Sequence, residues 1–226
     1  MTNPNHDSVS PETSFDPFAQ LSEAQQRKLD EYEQQLHRFN QRVNLISPDT
    51  ERHIRERHVG HSLALTWRPF PSGARVVDWG SGGGLPAIPL SIACPEVEVI
   101  AVDSVGKKVR AVRAIARRLG VDNLYAWNGR AEHWPDAADY SVSRATAPLA
   151  ELWRWHRRAA RESNVIVHSD AQWQPGLLAL KGGDLSDEID DLREEDSAVR
   201  VEQIGLEALL GREYFAEKRI VAVWNS

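Results

Sequence analysis

The sequence predicts an α/β fold: a mostly parallel sheet with helices on both faces, preceded by a helical extension. Three observations carry this expectation. From residue 74 onward, short apolar runs alternate with helical stretches; the runs are apolar throughout rather than at every second position; and a glycine-rich turn follows the first of them. Strands covered on both faces read in this way, and the turn marks where the first strand gives way to a helix.

The chain has 226 residues, enough for one well-buried domain with additions. Residues 1–18 are rich in Pro, Ser, Asn and Thr and are expected to form a disordered tail. Residues 19–72 read as a helical unit. Ser22 followed by Gln25 makes a capping box, after which Leu29, Tyr32, Leu36, Phe39 and Val43 recur at spacings of three and four. Ser47 and Pro48 open a second helix, to about Trp67, with Ile54, His58, His61 and Leu65 on one face. Residues 73–226 carry the sheet: ARVVDW, a helix through LSIA, VEVIAVD, a helix from Val105 to Leu119, NLYAWN, a short turn, DYSVSRA, and a helix from Pro148 to about Ala160. Both NVIVHSD and GLLALKGG qualify as the fifth strand; the second is preferred because it leads into the helix-like DLSDEIDDLRE. AVRVEQIGL and RIVAVWN then close the sheet as an antiparallel pair.

Composition narrows the function classes. No apolar run approaches the roughly 18 residues of a membrane span, and the first residues lack a basic region followed by an apolar stretch, so a cytoplasmic address is expected. The single cysteine, Cys94, sits among apolar neighbours and reads as a buried filler, and no metal-ligand spacing is present. The net charge of -6 speaks against a surface that is basic all over. Charge is nonetheless segregated: residues 103–161 hold twelve Lys and Arg against six acids, and residues 184–218 hold twelve acids against four bases.

The sharpest signal is VVDWGSGGGLPAIP, in which Asp78, Gly80, Gly82 and Gly84 give D-x-G-x-G-x-G between strand and helix. Glycine there permits positive φ and removes the Cβ atoms that would keep a flat ligand off the backbone. The dinucleotide fingerprint fails because its third glycine would fall on Leu85, and no G-K-[ST] follows, so neither a pyrophosphate nor a P-loop nucleotide is indicated. An acid before the turn and Asp103 at the end of the next strand suit S-adenosyl-L-methionine, with Asp103 gripping the ribose and Asp78 near the methionine ammonium. The alternative for Asp103 is a cap on the following helix, a task that Ser104 is also placed to perform.

The segments QRVNLIS, RERHVGHSL, VVDWGSGGGLPAIPLSIACPE, AVDSVGKKVRAVR, NGRAEHW, SVSRATAPL and LLALKGGDLSDEI resemble, in register, the motifs of the ribosomal RNA small subunit methyltransferase G family, also called the glucose-inhibited division protein B family. The resemblance runs from about Leu21 to Trp224. It implies a Rossmann-like class I S-adenosylmethionine-dependent methyltransferase, seven-stranded, that methylates N7 of a guanine in 16S rRNA of the small ribosomal subunit. It also implies cofactor contacts at Gly80, Leu85, Ala131, Glu132 and Arg144, with Asp103 and Ser104 at the family's D-S. Three features depart from the family pattern: Ala87 where glycine is usual, His61 where Asp is frequent, and an insertion over residues 161–175.

Arg144, at the end of the fourth strand, is the candidate catalytic residue, placed to hold the acceptor base or a phosphate; a structural ion pair is its bland alternative. Lys107, Lys108, Arg110 and Lys181 are candidate RNA contacts, and further arginines on the same helix and on the one starting at Pro148 are either phosphate contacts or a solvated face. His58 reads as a core histidine rather than an acid or ligand. Trp127, Trp134, Trp153, Trp155 and Trp173 read as buried anchors before base-stacking platforms. Two rival functions share the fold: a small-molecule methyltransferase, and a non-catalytic S-adenosylmethionine-binding protein. A monomer without metal is expected.

Overall fold

The structure, a computed structural model, describes residues 14–144, 146–161 and 171–225. Its seven strands form one sheet in the order β3-β2-β1-β4-β5-β7-β6. They are β1 (Arg75–Trp79), β2 (Glu98–Asp103), β3 (Leu124–Asn128), β4 (Tyr140–Arg144), β5 (Gly176–Gly182), β6 (Val199–Gly205) and β7 (Lys218–Asn225). The first five pair in parallel, and β7 joins antiparallel to both β5 and β6. The helices are α1 (Glu23–Val43), α2 (His61–Leu63), α3 (Ala87–Ala93), α4 (Gly106–Leu119), α5 (Leu149–Ala159), α6 (Ser186–Glu195) and α7 (Leu206–Leu210). The expected α/β architecture is therefore present, with the fifth strand on GLLALKGG; NVIVHSD and most of the 161–175 insertion lie outside the described residues.

The strands are long apolar runs because both faces are covered. On one face Val76, Val99, Ala101 and Val142 share a core with α1, α3 and α4; on the other Val77, Ile100, Val102 and Ala179 pack with α5 and α6. Helix α1 is capped as its sequence predicts: Ser22 Oγ accepts from Gln25 N–H at 3.3 Å, and Gln25 Oε1 accepts from Ser22 N–H at 2.9 Å. Leu29, Tyr32 and Leu36 are fully buried in the core they share with β1 and α3. Gln25 also donates to Ile92 O and Ala93 O, which fastens the start of α1 to the end of α3.

Two expectations need correction. The helix predicted from Pro48 to Trp67 is a succession of a 3-10 turn (Pro48–His53), a π turn (Ile54–Gly60), α2, and a second 3-10 turn (Ala64–Trp67). The apolar face at residues 54, 58, 61 and 65 is buried as predicted, but the wider turn through His58 re-aims its ring. Residues 14–18, placed in the disordered tail by composition, are docked: Phe15 N–H donates to Leu209 O at 2.7 Å, and Phe15 and Phe18 pack on the core. Their two aromatic rings offset the polar composition around them. The rest of that tail, residues 1–13, lies outside the described residues.

Candidate active site

The sheet order reverses between β1 and β4, and at the carboxyl ends of these strands lies a cavity of about 550 Å³. An open parallel sheet binds ligands at such a switch point. The glycine turn forms its floor. Gly80 adopts φ +70, and a Cβ there would stand 2.3 Å from Thr146 Cγ2, so the position accepts glycine alone. Ser81 N–H donates to Val102 O, which ties the turn to β2.

Of the residues the sequence proposed for the cofactor, Gly80, Gly82, Leu85, Asp103, Ser104, Ala131, Glu132 and Arg144 line this cavity together. Asp103 does not cap α4, which has no side-chain cap, but braces the loop before it and remains available for a ligand. Its Oδ1 accepts from Val105 N–H at 2.8 Å, at the entry to α4, and its Oδ2 accepts from Gly82 N–H at 2.9 Å. A carboxylate offers about four lone-pair sites, so two bonds leave capacity for a pair of ribose hydroxyls.

Asp78 and Gly84 are brought near the turn but not into the cavity wall. A Cβ on Gly84 would collide with Ile88 Cδ1 at 2.5 Å, so this glycine admits the α3 side chain rather than a ligand. Asp78 is fully buried under the turn; one oxygen accepts from Ala87 N–H at 3.1 Å and the other has no partner. Burial, opposed by that hydrogen bond and by the Arg144 charge, pushes its carboxyl up to about 8. Ala87, the departure from the family's glycine, supplies that N–H, and its methyl is buried in the core.

Arg144 connects the cavity to the helical extension. One of its guanidinium nitrogens donates to His58 Nδ1 at 2.8 Å, and His58 Nε2 lies 2.7 Å from Thr50 Oγ1. The imidazole is therefore neutral, with Nδ1 accepting and Nε2 donating. Burial and the neighbouring Arg144 and Arg57 charges hold its pKa down at about 4. Arg144 is itself depressed by burial, an effect opposed by Tyr32, Asp78 and Tyr214. Tyr32, on α1, donates to Gly83 O at 3.0 Å, and a Cβ on Gly83 would meet Leu36 at 2.8 Å and Leu45 at 3.1 Å. Helix α1 and the segment after it thus press directly on the back of the glycine turn, and Leu45 reaches the cavity.

The candidate RNA contacts divide. Lys108 lines the cavity, whereas Lys107 and Arg110 lie on α4 outside its wall. Lys181 is nearly buried: its ammonium donates to Ala147 O at 2.8 Å and pairs with Glu188 at 2.7 Å, which buttresses the loop that walls the cavity. The α5 arginines are engaged within the protein, Arg154 with Glu195, Arg157 with Asp196 and Arg158 with Ala131 O, and Arg161 just beyond the helix pairs with the buried Asp139. Trp134, Trp153 and Trp173 are buried anchors, but Trp155 lines the cavity, its ring 6.2 Å from Trp79. Sequence reasoning missed the cavity positions of Arg130, Thr146 and Glu151. The R of NGRAEHW and the T of SVSRATAPL stood beside residues already singled out, and that adjacency was the available signal.

A family model described as rRNA small subunit methyltransferase G matches residues 25–213. The chain belongs to the rRNA small subunit methyltransferase G family. A curated relative from Salinibacter ruber, itself named ribosomal RNA small subunit methyltransferase G, is 60% identical over 211 residues, 93% of this chain and 97% of the relative. The namesake from Christiangramia forsetii is 36% identical over 78% of this chain and 82% of its own length. Solved structures that share the fold include a ribosomal protein L11 methylase from Lactobacillus delbrueckii (TM-score 0.54, 14% identity, 74% of this chain and 76% of that one). Another is Aeropyrum pernix fibrillarin with natively bound S-adenosyl-L-methionine (TM-score 0.52, 14% identity, 71% and 73%). As a member of the methyltransferase G family, the chain is an rRNA methyltransferase that draws its methyl group from S-adenosylmethionine. The residues fit that cofactor: a floor free of side chains, a strand-end carboxylate with spare lone pairs, and an orphaned, buried Asp78 oxygen beneath the turn. Among the described residues no helix is long and apolar enough to cross a membrane, and no group of three metal-ligating side chains is present.

Proposed function

We propose that the chain acts as a cytoplasmic monomer that methylates N7 of a guanine in 16S rRNA, with the acceptor base entering beside Arg144. The observation that carries the reading is the meeting of the glycine turn, Asp103 and Arg144 in one cavity at the switch point. When bound, S-adenosylmethionine supplies an electrophilic sulfonium methyl. Asp103 would take the ribose hydroxyls on its free lone pairs; Gly80 and Gly82 would leave the backbone bare for the adenosine; Asp78, which burial keeps protonated until a cation arrives, would answer the methionine ammonium from beneath the turn; and Ser104, Leu85, Ala131 and Glu132 would complete the lining that holds the cofactor.

Guanine N7 carries a lone pair and no proton, so the protein has no proton to remove. What it must supply is alignment, and holding two reacting groups at near-attack geometry contributes roughly 7 to 11 kcal/mol in favourable cases. Arg144 suits this task because its guanidinium is braced by His58, and its remaining donors match guanine O6 or a flanking phosphate, which leaves the N7 lone pair free to attack. Lys107, Lys108 and Arg110 stand on α4 to meet phosphates, Lys108 in the cavity wall and the other two outside it, and Lys181 serves by holding the mouth's wall.

The reading is tested by transfer of labelled methyl to rRNA from cells that lack the activity, offered naked and as small subunits, with the product nucleoside identified. The expected product is 7-methylguanosine. Cofactor binding without label in either RNA would instead support a small-molecule acceptor.

A further inference from the structure

Helix α4 carries positive charge away from the cavity. Lys108 lines the cavity wall; nine residues later, about 14 Å along the helix, Arg117 lines a second cavity of about 350 Å³. This one is a groove in the seam between α4 and α1, walled by Arg38, Phe39 and Arg42 on one side and by Ala114, Arg117 and Arg118 on the other. The two helices run antiparallel along it, pinned at one end where Lys28 Nζ donates to Gly120 O at 2.7 Å and Arg118 pairs with Glu31 at 2.8 Å.

The charge distribution along both helices is not that of an ordinary solvated face, where basic residues alternate with acids one turn away. Helix α4 contains six Lys and Arg and no acid. The acids of α1 are confined to its first half, where Asp30 and Glu33 engage Arg55 and Glu31 engages Arg118; from residue 34 to Val43 there is none. Among the described residues no carboxylate lies within ion-pair distance of Arg38, Arg42 or Arg117, although the chain as a whole carries -6. Arg38 and Arg42 are one turn apart on α1 and exposed, facing Arg117 across a floor of Phe39 and Ala114. Three uncompensated guanidinium groups around a shallow, partly apolar channel form a receptor for a chain of phosphates, because each fork binds a phosphate bidentately. An acidic peptide would need fewer donors and a deeper apolar pocket; a duplex or looped RNA strand presents its phosphates in series.

We propose that the α1/α4 groove is a second RNA-docking surface, which holds the backbone of the substrate rRNA on the far side of α4 from the nucleotide being methylated. The proposal rests on the rRNA-methyltransferase reading and adds to it a surface that binds RNA without touching the cofactor cavity. On this view α1 serves substrate capture through its second half while its buried face supports the glycine turn.

The test uses the full chain and the RNA substrate that accepts label, comparing wild type with the double variant Arg38→Ala, Arg42→Ala and with Arg193→Ala, an exposed arginine on α6. The double variant is expected to raise KM for RNA about tenfold at moderate salt, to leave kcat and S-adenosylmethionine affinity within twofold of wild type, and to lower the slope of log affinity against log salt by about 1 to 2. Arg193→Ala should change none of these. An unchanged KM and salt slope in the double variant, in protein with wild-type thermal stability, overturns the groove, as does an equal change from Arg193→Ala. Should wild type itself transfer no label to RNA, the acceptor reading fails first and the groove falls with it, an outcome distinguishable from failure of the groove alone.

Discussion

At the scale of single residues, Arg144 and His58 form a unit in which each fixes the other. Replacing Arg144 by Ala should lower kcat for methyl transfer at least a hundredfold while changing S-adenosylmethionine affinity by less than tenfold, as read by single-turnover transfer and equilibrium binding, since its proposed partner is the acceptor. Replacing His58 by Leu leaves a buried guanidinium N–H without its acceptor, at a cost of about 1 to 3 kcal/mol of stability, and should lower kcat; His58→Asn, whose amide oxygen can accept, should restore part of it. Asp78 makes a prediction about pH. Its folded pKa of about 8 exceeds the unfolded value of 3.8, so the folded state holds a proton that the unfolded chain has released. The stability this contributes is full below about pH 4 and is lost as pH rises through 8. Thermal denaturation of Asp78→Asn from pH 5 to 9 should therefore show a smaller alkaline fall in melting temperature than wild type.

Among the elements, the contact of α1 with the glycine turn is the one most open to experiment. Gly83→Ala would drive a methyl into Leu36 and Leu45. It should cost about 1 to 3 kcal/mol and weaken cofactor binding, as measured by denaturant melts and calorimetric titration; Tyr32→Phe, which removes only the hydrogen bond to Gly83 O, should cost about 1 kcal/mol. Much of this level was legible from sequence. The period of α1, its capping box, the strand runs and the glycine turn are set by local rules, and each appears where the spacing predicts. What was not legible is what local rules do not encode. The choice of π and 3-10 turns between Pro48 and Trp67 leaves the apolar spacing unchanged, so the altered aim of His58 toward Arg144 could not be read. Thr146, Glu151 and Trp155 reach the cavity only because β4 lies beside β1, a consequence of sheet order. Lys181 looked like a free cation because Glu188, its partner, follows a turn later on another element.

For the molecule as a whole, burial of three neutral histidines sets its behaviour in acid. His58 and His156 are held down at about 4 by burial, and His61 is held well below its ordinary value of 6.5 by burial and by nearby Arg144, Lys218 and His58. Each folded pKa lies below the unfolded one, so the stability they contribute is full above pH 6.5 and is lost as pH falls toward 4. Urea midpoints measured from pH 7.5 to 4.5 should drop steadily, and His156→Gln should flatten part of that drop without affecting cofactor binding, because His156 contacts Ser141 and the α5 ring of Trp153 rather than the cavity. Charge is also arranged at this scale: Glu195 of α6 and Asp196 at its end pair with Arg154 and Arg157 of α5, whereas α4 carries six basic residues and no acid of its own, with only Arg118 paired across to α1.

The strand order has a consequence for synthesis. Strand β6 touches the sheet only through β7, which follows it in sequence and lies between it and β5. A nascent chain that has emerged as far as β6 therefore has no place to put it. Until residues 218–225 arrive, β5 presents an open edge and β6 is a strand without a neighbour, the combination most prone to pair with another chain. Insertion of β7 between β5 and β6 is therefore the step that gives both strands their partner and completes the sheet.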